Sequence, residues 1–398
     1  MLKLQAYKFQ LRTKPEQEAQ MRRFAGCCRF VWNNALALEK EEYAKSKKRL
    51  GYSKVANMLP EWKKCKYSFL SEAPSQTLQQ ALKDLDKAYR NFFAKRADFP
   101  KFKEKGVHDA FRYPQGFSVD NGNGRVFLPK IGWVRYRKSR DVLGTPKNVT
   151  VILEAGKWYV SIQTEMEIGI PVHPSNKTIG LDMGITHFVA LSDGHLIAQR
   201  NSFKASEKKL VRLQRRLAKC KKFSKNWQKI KTKIAKLHRK IACMRQDFLH
   251  KLSTDICKTH ALVVMEDLKV KNMSQSASET VDSPGRNVRA KAVLNKRILD
   301  QGWSEFRRQI VYKSQWLGGQ LVLVNPAYTS QSCNNCGCIN KDNRPTQTKF
   351  KCVSCGHEDN ADVNAARNIL AAGLAVSACG EERARASSAK QEPSKRVA

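Results

Sequence analysis

Four cysteines in two Cys-x-x-Cys pairs, Cys333/Cys336 and Cys352/Cys355, constrain this chain more than any other feature. Fifteen residues, Gly337 to Lys351, separate the pairs. That is the usual spacing of a structural zinc, because each pair supplies two thiolates to half of a tetrahedron. Such a clip brings about 10–16 kcal/mol of binding free energy, enough to fold a knuckle with almost no core. Free thiols or two disulfides are the alternative. An apolar strand, Gln320 to Val324, precedes the clip, and a short Ala-rich helix starting near Asp362 follows it. A strand, a clip and an acid-bearing helix in that order suggest that the metal helps to aim the Asp362 carboxylate. Cys338 is a spare thiol beside the pairs, and His357 a lesser substitute ligand.

Charge narrows the function classes. The 398 residues hold 74 Lys+Arg against 35 Asp+Glu, a formal charge of +39, which points to an anionic polymer as partner. No apolar run approaches the roughly 18 residues of a membrane span. The start, Met1-Leu-Lys-Leu-Gln-Ala-Tyr-Lys, has no apolar signal core, so a cytoplasmic location is expected. Twelve cysteines in a reducing compartment then argue for a metal plus scattered thiols. Length alone allows two to four domains.

Along the chain, Lys3 to Arg12 alternates as a short strand. Thr13-Lys-Pro-Glu16 has the form of a capping box, and Met21, Phe24, Cys28, Val31, Ala35 and Leu38 make an apolar helical stripe. A second helix follows Pro74, with Leu78, Leu82, Leu85, Tyr89 and Phe92. From about Phe99 to Ile170 the pattern is β, five to seven strands with a hairpin at Glu154-Ala-Gly, read as a small barrel that the N-terminal strand joins. Arg125, Phe127, Trp133, Arg135, Tyr136 and Arg137 interleave basic and aromatic residues. That suits a nucleic-acid surface, and equally an ordinary half-exposed strand.

After Pro174 a strand from Lys177 reaches Asp182, and Gly184 lets backbone or phosphate come close. Lys204 to Lys251 reads as a helical hairpin with a basic outer face suited to a polyanion. Ala261 to Met265 is a buried strand ending in Glu266, with Asp267 on the opposite face. Met273 to Asn287 is a Ser-rich loop beside that acid, and Arg289 to Leu317 reads as one helix. A strand Asp, a strand-end Glu and a helix-start Asp are the parts of a two-metal phosphodiester site, where converging carboxylates hold two cations about 3.5–4 Å apart. Oxygen ligands suit magnesium or manganese, and thiolates suit zinc.

Several motifs carry a family resemblance. They are Gly180-Leu-Asp-Met-Gly184, Val264-Met-Glu-Asp-Leu268, Tyr328-Thr-Ser-Gln-Ser-Cys-Asn-Asn-Cys336, Phe350-Lys-Cys-Val-Ser-Cys-Gly356 and Asn360-Ala-Asp-Val-Asn-Ala-Ala-Arg-Asn368. With Asp98-Phe-Pro-Lys-Phe102 and Arg297-Ile-Leu-Asp-Gln-Gly-Trp303, they resemble the transposon-encoded TnpB family, the compact relative of type V CRISPR effectors. The resemblance implies an α/β multidomain fold. It has an RNase H-like RuvC nuclease domain with an inserted zinc knuckle, a helical recognition lobe and a β-barrel wedge domain.

The implied plan places the wedge domain at 1–12 and 97–172 and the recognition lobe at 13–96. The nuclease domain takes 173–327 and 359–379, with the basic hairpin at 204–251, the knuckle at 328–358 and a disordered tail at 380–398. It also implies catalytic Mg2+ (or Mn2+) on Asp182, Glu266 and Asp362, and structural Zn2+ on Cys333, Cys336, Cys352 and Cys355. The implied partner is a guide RNA transcribed from its own element, directing a single chain in a prokaryotic ribonucleoprotein to cleave double-stranded target DNA beside a short adjacent motif. An RNA-guided DNA-binding repressor or accessory transposition protein, and an unguided nuclease, stay open as alternatives.

Overall fold

The computed structural model describes residues 1–277 and 285–388, and the chain divides into two compact units, Met1–Gly169 and Ile170–Ala398. Among the described residues no helix is long and apolar enough to cross a membrane.

The first unit opens with β1 (Leu2–Arg12), whose inward residues Tyr7, Phe9 and Leu11 are buried. Next comes α1 (Pro15–Ser46), with Pro in its first turn. The capping box falls one residue later than the sequence suggests: the Lys14 N–H donates to Gln17 Oε1, and the Thr13 hydroxyl turns to Glu18. The expected stripe is buried from Met21 through Ala35, with Leu38 packed at its margin. Between α1 and α3 (Ser75–Phe93) lies a helix with no sequence forecast, α2 (Gly51–Glu61). A π turn (Trp62–Lys66) and a 3-10 turn (Ser68–Glu72) extend it.

Six more strands follow: β2 (Ala110–Tyr113), β3 (Ser118–Asp120), β4 (Arg125–Leu128), β5 (Gly132–Tyr136), β6 (Thr145–Glu154) and β7 (Lys157–Glu167). The order is β2-β6-β7-β1-β5-β4-β3, with β1 at the centre. The β6–β7 hairpin turns at Ala155 and Gly156, both at positive φ, the pairing that matches strand twist in a two-residue loop. β2, at one end of the order, comes close to the β4–β5 turn near the other, where the Tyr113 hydroxyl donates to the Pro129 carbonyl. The inward faces of these strands share one apolar cluster with α1 and α3.

The second unit is built on β8 (Thr178–Asp182), β9 (His187–Leu191), β10 (Leu196–Ala198), β11 (Leu262–Glu266) and β12 (Gln320–Val324), in the order β10-β9-β8-β11-β12. β8, β11 and β12 are parallel, whereas β9 and β10 are antiparallel to their neighbours. The parallel pairs need helical crossovers. α4 (Lys204–Ala218) and α5 (Lys225–Thr259) form the first, the expected basic hairpin, with Leu210, Ile230, Ile241 and Leu249 buried.

The short α6 (Val270–Met273), α7 (Val288–Gln301) and α8 (Trp303–Leu317) form the second crossover. The single helix expected over Arg289–Leu317 is therefore two. Gly302 sits at φ +74 and breaks it, and Arg245 and Leu249 of α5 pack 3.3 Å from the place a Cβ would occupy. Residues 278–284 of the expected Ser-rich loop lie outside the described residues; at its start, the Ser274 and Gln275 carbonyls accept from Asn295 of α7.

The knuckle carries β13 (Lys349–Lys351) and β14 (Glu358–Asn360), an antiparallel pair. α9 (Ala361–Ser388) completes the unit and is far longer than the short helix expected near Asp362. Residues 380–388, expected as the start of a tail, continue its backbone, because Glu381 to Ala386 contains only strong helix formers. Residues 389–398 lie outside the described residues.

Candidate active site

The site begins with the sheet. Asp182 ends β8 and Glu266 ends β11, and the parallel register that pairs Leu181 with Met265 brings these two ends side by side. Adjacent strands lie about 4.8 Å apart, so the two carboxylates leave one edge together. Asp362 enters from above, in the first turn of α9. Its backbone N–H donates to Asn360 Oδ1 at 3.0 Å, a side-chain N-cap.

Two glycines let that helix lie against the strands. A Cβ on Gly180, in mid-β8, would stand 2.2 Å from the Ala366 carbonyl, and one on Gly373 would stand 2.4 Å from Val264 of β11. Gly184, singled out from the sequence for close approach, faces only the His187 carbonyl, at 3.0 Å. Gly180 is therefore the close-approach position, as an isolated glycine inside a strand signals.

The electrostatics follow from burial and proximity. Burial first, then the charges of Glu266 and Asp362, push the Asp182 carboxyl up to about 7, with Arg344 pulling the other way. Among the described residues its carboxylate accepts no hydrogen bond. A half-buried acid beside two others without a donor is a position that calls for a cation. Burial also raises Glu266, which is 8% exposed, while the Thr329 hydroxyl donates to its Oε1 at 2.6 Å and lowers it. Arg344 donates to Asp362 Oδ1 at 2.9 Å, and His187 Nδ1 lies 3.9 Å from the other oxygen. The three acids converge without forming a single-ion cage: among the described residues, only the four thiolates form a group of ligand atoms all within 4.8 Å of one another. Asp267 stands apart, paired to Arg307.

Those four thiolates belong to Cys333, Cys336, Cys352 and Cys355. The Cys333 and Cys355 sulfurs are 3.8 Å apart, those of Cys336 and Cys352 3.5 Å. A tetrahedron with Zn–S bonds of about 2.3 Å has edges of about 3.8 Å, so the set fits zinc. A disulfide would need about 2.05 Å. Cys338 and His357 fall outside the group. Cys338 instead offers its carbonyl to the Cys333 N–H at 2.9 Å. Asn343, fully buried, ties the two halves of the knuckle: its amide donates to the Gln331 and Cys338 carbonyls and accepts from the Val353 N–H.

From the knuckle the connections run to two of the acids. Asn364 and Asn368, one turn apart on α9, donate to the Ser332 carbonyl, and Asn368 also to that of Thr329. Asn364 accepts from the Asn334 N–H at 3.0 Å. The clip thus fixes the segment whose Thr329 meets Glu266, and through Arg344 it also meets Asp362. Sequence reasoning linked the clip to Asp362 alone. The available signal for the rest was the asparagine spacing in Asn364-Ala-Ala-Arg-Asn368 and the Thr329-Ser beside the first pair.

Three acids at a sheet edge, beside a knuckle whose four cysteines could hold a metal ion, are what a metal-dependent nuclease would require. Comparison with known proteins narrows this. Residues 161–277 match a family described as a probable transposase (OrfB of IS605), residues 303–369 the TNB domain of Cas12f1-like proteins, and residues 1–48 a helix-turn-helix domain. That last name does not describe the structure, where 1–48 is essentially β1 and one unbroken helix. The chain is 56% identical over 398 residues to the "Putative RNA-guided DNA endonuclease InsQ" of Escherichia coli (strain K12), covering 100% of this chain and 99% of that one. A Streptomyces pristinaespiralis protein described in the same words is 35% identical, over 99% of this chain and 97% of its own. A Cas12f1 chain solved in its sgRNA–target DNA complex has the same fold, with a TM-score of 0.58 at 15% identity over 92% of this chain and 98% of that one. The chain belongs to the transposon-encoded TnpB family of RNA-guided DNA endonucleases.

Proposed function

We propose that the chain binds an RNA transcribed from its own element and cuts double-stranded DNA paired with that RNA beside a short motif, using Asp182, Glu266 and Asp362. The convergence of these three acids at the end of β8, the end of β11 and the start of α9 carries the reading. The order β10-β9-β8-β11-β12, an antiparallel meander followed by two parallel strands, supports an RNase H-like RuvC domain. The seven-stranded sheet of the first unit, whose terminal strand β2 meets the β4–β5 turn through Tyr113, supports a barrel-type wedge domain, and α1 to α3 support the recognition lobe. The +39 charge suits a protein that grips a heteroduplex by its backbone while base pairing reads sequence.

The donor set is all oxygen, which fits Mg2+ or Mn2+. When bound, two such ions lower the pKa of the attacking water and stabilise the leaving 3′ oxygen. The protein's share is positioning. Thr329 orients Glu266, Arg344 holds Asp362, and Asp182 presents a carboxylate with no competing donor. A binder without cleavage would have no use for this costly arrangement.

Purification from cells followed by sequencing of co-purified RNA tests guidance: one discrete RNA is expected, and none would remove the guided reading. Asp182→Ala should abolish cutting with DNA binding retained. A variant that cuts like wild type would remove the site assignment.

A further inference from the structure

The interleaved basic and aromatic residues of Arg125 to Arg137 sort cleanly onto two faces. Along β4 and β5, Val126, Leu128, Val134 and Tyr136 turn inward and are buried, while Arg125, Phe127, Trp133 and Arg135 turn outward. The register sets Phe127 directly opposite Trp133 and Arg125 directly opposite Arg135. On the next strand, Arg12 of β1 stands opposite Arg135. Three arginines thus form a row across three neighbouring strands, with an aromatic pair beside them.

Two observations mark this face as unfinished. First, like charges directly opposite on neighbouring strands destabilise a sheet. Here Asp120 meets Arg125 at 2.8 Å, but among the described residues neither Arg12 nor Arg135 pairs with an acid. Second, Trp133 is 43% exposed at the centre of the patch, with Arg125 4.5 Å over its ring and Phe127 5.6 Å away edge-on. The strand beneath it is tied to α1, since Gln17 donates to the Trp133 carbonyl at 3.0 Å.

We infer that the outer face of β1, β5 and β4 is a platform on which unpaired bases of the bound RNA stack, with Trp133 and Phe127 against the bases and Arg12, Arg135 and Arg125 along the phosphates. The charge row fits any nucleic acid, but the exposed ring distinguishes the occupant. A duplex keeps its base faces stacked within itself, whereas a folded RNA offers loops and bulges with splayed bases that stack on aromatic side chains. Stacking is indifferent to sequence because every base has a π-face, so the platform positions the RNA without reading it. This inference rests on the reading of the protein as an RNA-bound one.

The test uses the full chain and measures binding to its co-purified RNA, to a single-stranded RNA oligonucleotide, to a duplex RNA and to a single-stranded DNA. Loss of one base–aromatic stack, about 1–3 kcal/mol, corresponds to a roughly 5- to 150-fold weaker Kd. Trp133→Ala should weaken the single-stranded RNA by that factor and leave the duplex within about twofold. Trp133→Phe should restore most of the affinity, and ultraviolet crosslinks on wild-type protein should map to residues 125–137. Arg135→Ala should weaken all four ligands and flatten the salt dependence. The platform is wrong if Trp133→Ala binds single-stranded RNA as wild type does, if duplex and single strand weaken equally, or if only single-stranded DNA is affected. Failure of the wild type to bind any RNA is a separate result, and overturns the guided reading instead.

Discussion

Gly180→Ala isolates how the third acid is held. The added methyl would begin 2.2 Å from the Ala366 carbonyl, 2.8 Å from Leu370 Cβ and 2.9 Å from the Leu370 nitrogen. The first of these is backbone of α9, so no rotamer change relieves it. Restoring ordinary contact at 3.4 Å requires about 1.2 Å of movement between β8 and α9. Overpacking of this kind costs about 1–3 kcal/mol, against a domain stability of about 5–15 kcal/mol, so the protein should still fold. The displacement falls on the helix that carries Asp362 four residues before Ala366. A shift of about 1 Å in a catalytic constellation costs on the order of 100-fold in rate.

Single-turnover cleavage by the purified ribonucleoprotein should therefore fall about 100-fold, with zinc content and RNA affinity unchanged. Gly373→Ala makes a comparable clash with Val264, but about 16 Å along the helix from Asp362, where Ala366 is about 6 Å away, and should cost far less. The reasoning fails if Gly180→Ala, folded and zinc-loaded, cleaves within about threefold of wild type, or if Gly373→Ala proves the worse variant.

Thr329→Val removes the hydroxyl from Glu266 and should slow cleavage about tenfold, with Thr329→Ser recovering it; equal rates for Val and Ser would refute the hydrogen bond's role. Arg344→Ala strips Asp362 of its guanidinium and should slow cleavage by 10- to 100-fold at saturating Mg2+, checked by titrating the ion against rate. The raised Asp182 carboxyl stays protonated below about 7, so proton and divalent ion compete there. The Mg2+ needed for half-maximal cleavage should rise as pH falls from 8 to 6. The sign for folding is opposite: a raised acid contributes stability that is complete below the ordinary carboxylate range and lost as pH rises through about 7, so without divalent ions Asp182 should lower the melting temperature between pH 5 and 8. Cys352→Ser should lose zinc and expose the segment around Asp362 to protease, read by limited proteolysis; full activity without zinc would refute the clip's role.

What the sequence made legible was whatever depends on local pattern. The cysteine spacing, the strand ends at Asp182 and Glu266 and the stripes of α1 and α3 are periodic or compact signals. What it hid depends on partners far along the chain. Arg344 is one of 74 basic residues until the knuckle folds it onto Asp362. Thr329 and Asn368 are ordinary polar residues until their partners, the Glu266 carboxylate and two backbone carbonyls, are known. The break at Gly302 was missed because the apolar period runs across it and only φ reveals the turn. Gly184, two residues after the acid, drew attention, while Gly180, two residues before it and inside the strand, is the one that admits the helix. The patch from Arg125 to Arg137 was ambiguous as letters; the register adds which members face outward, Arg125, Phe127, Trp133 and Arg135.

The central place of β1 has a consequence for synthesis. β1 leaves the ribosome before its neighbours, β5 and β7, and must wait for them until Tyr136 and Glu167 have been made. The Met1 amine donates to the Ile168 carbonyl at 2.6 Å, so even the first residue is secured by nearly the last of its unit. Until β7 has emerged, α1 to α3 lack the complete sheet they cover, and their apolar faces depend on whatever shields nascent chains. A bulky fusion ahead of Met1 should delay this closure more than one placed after the last helix.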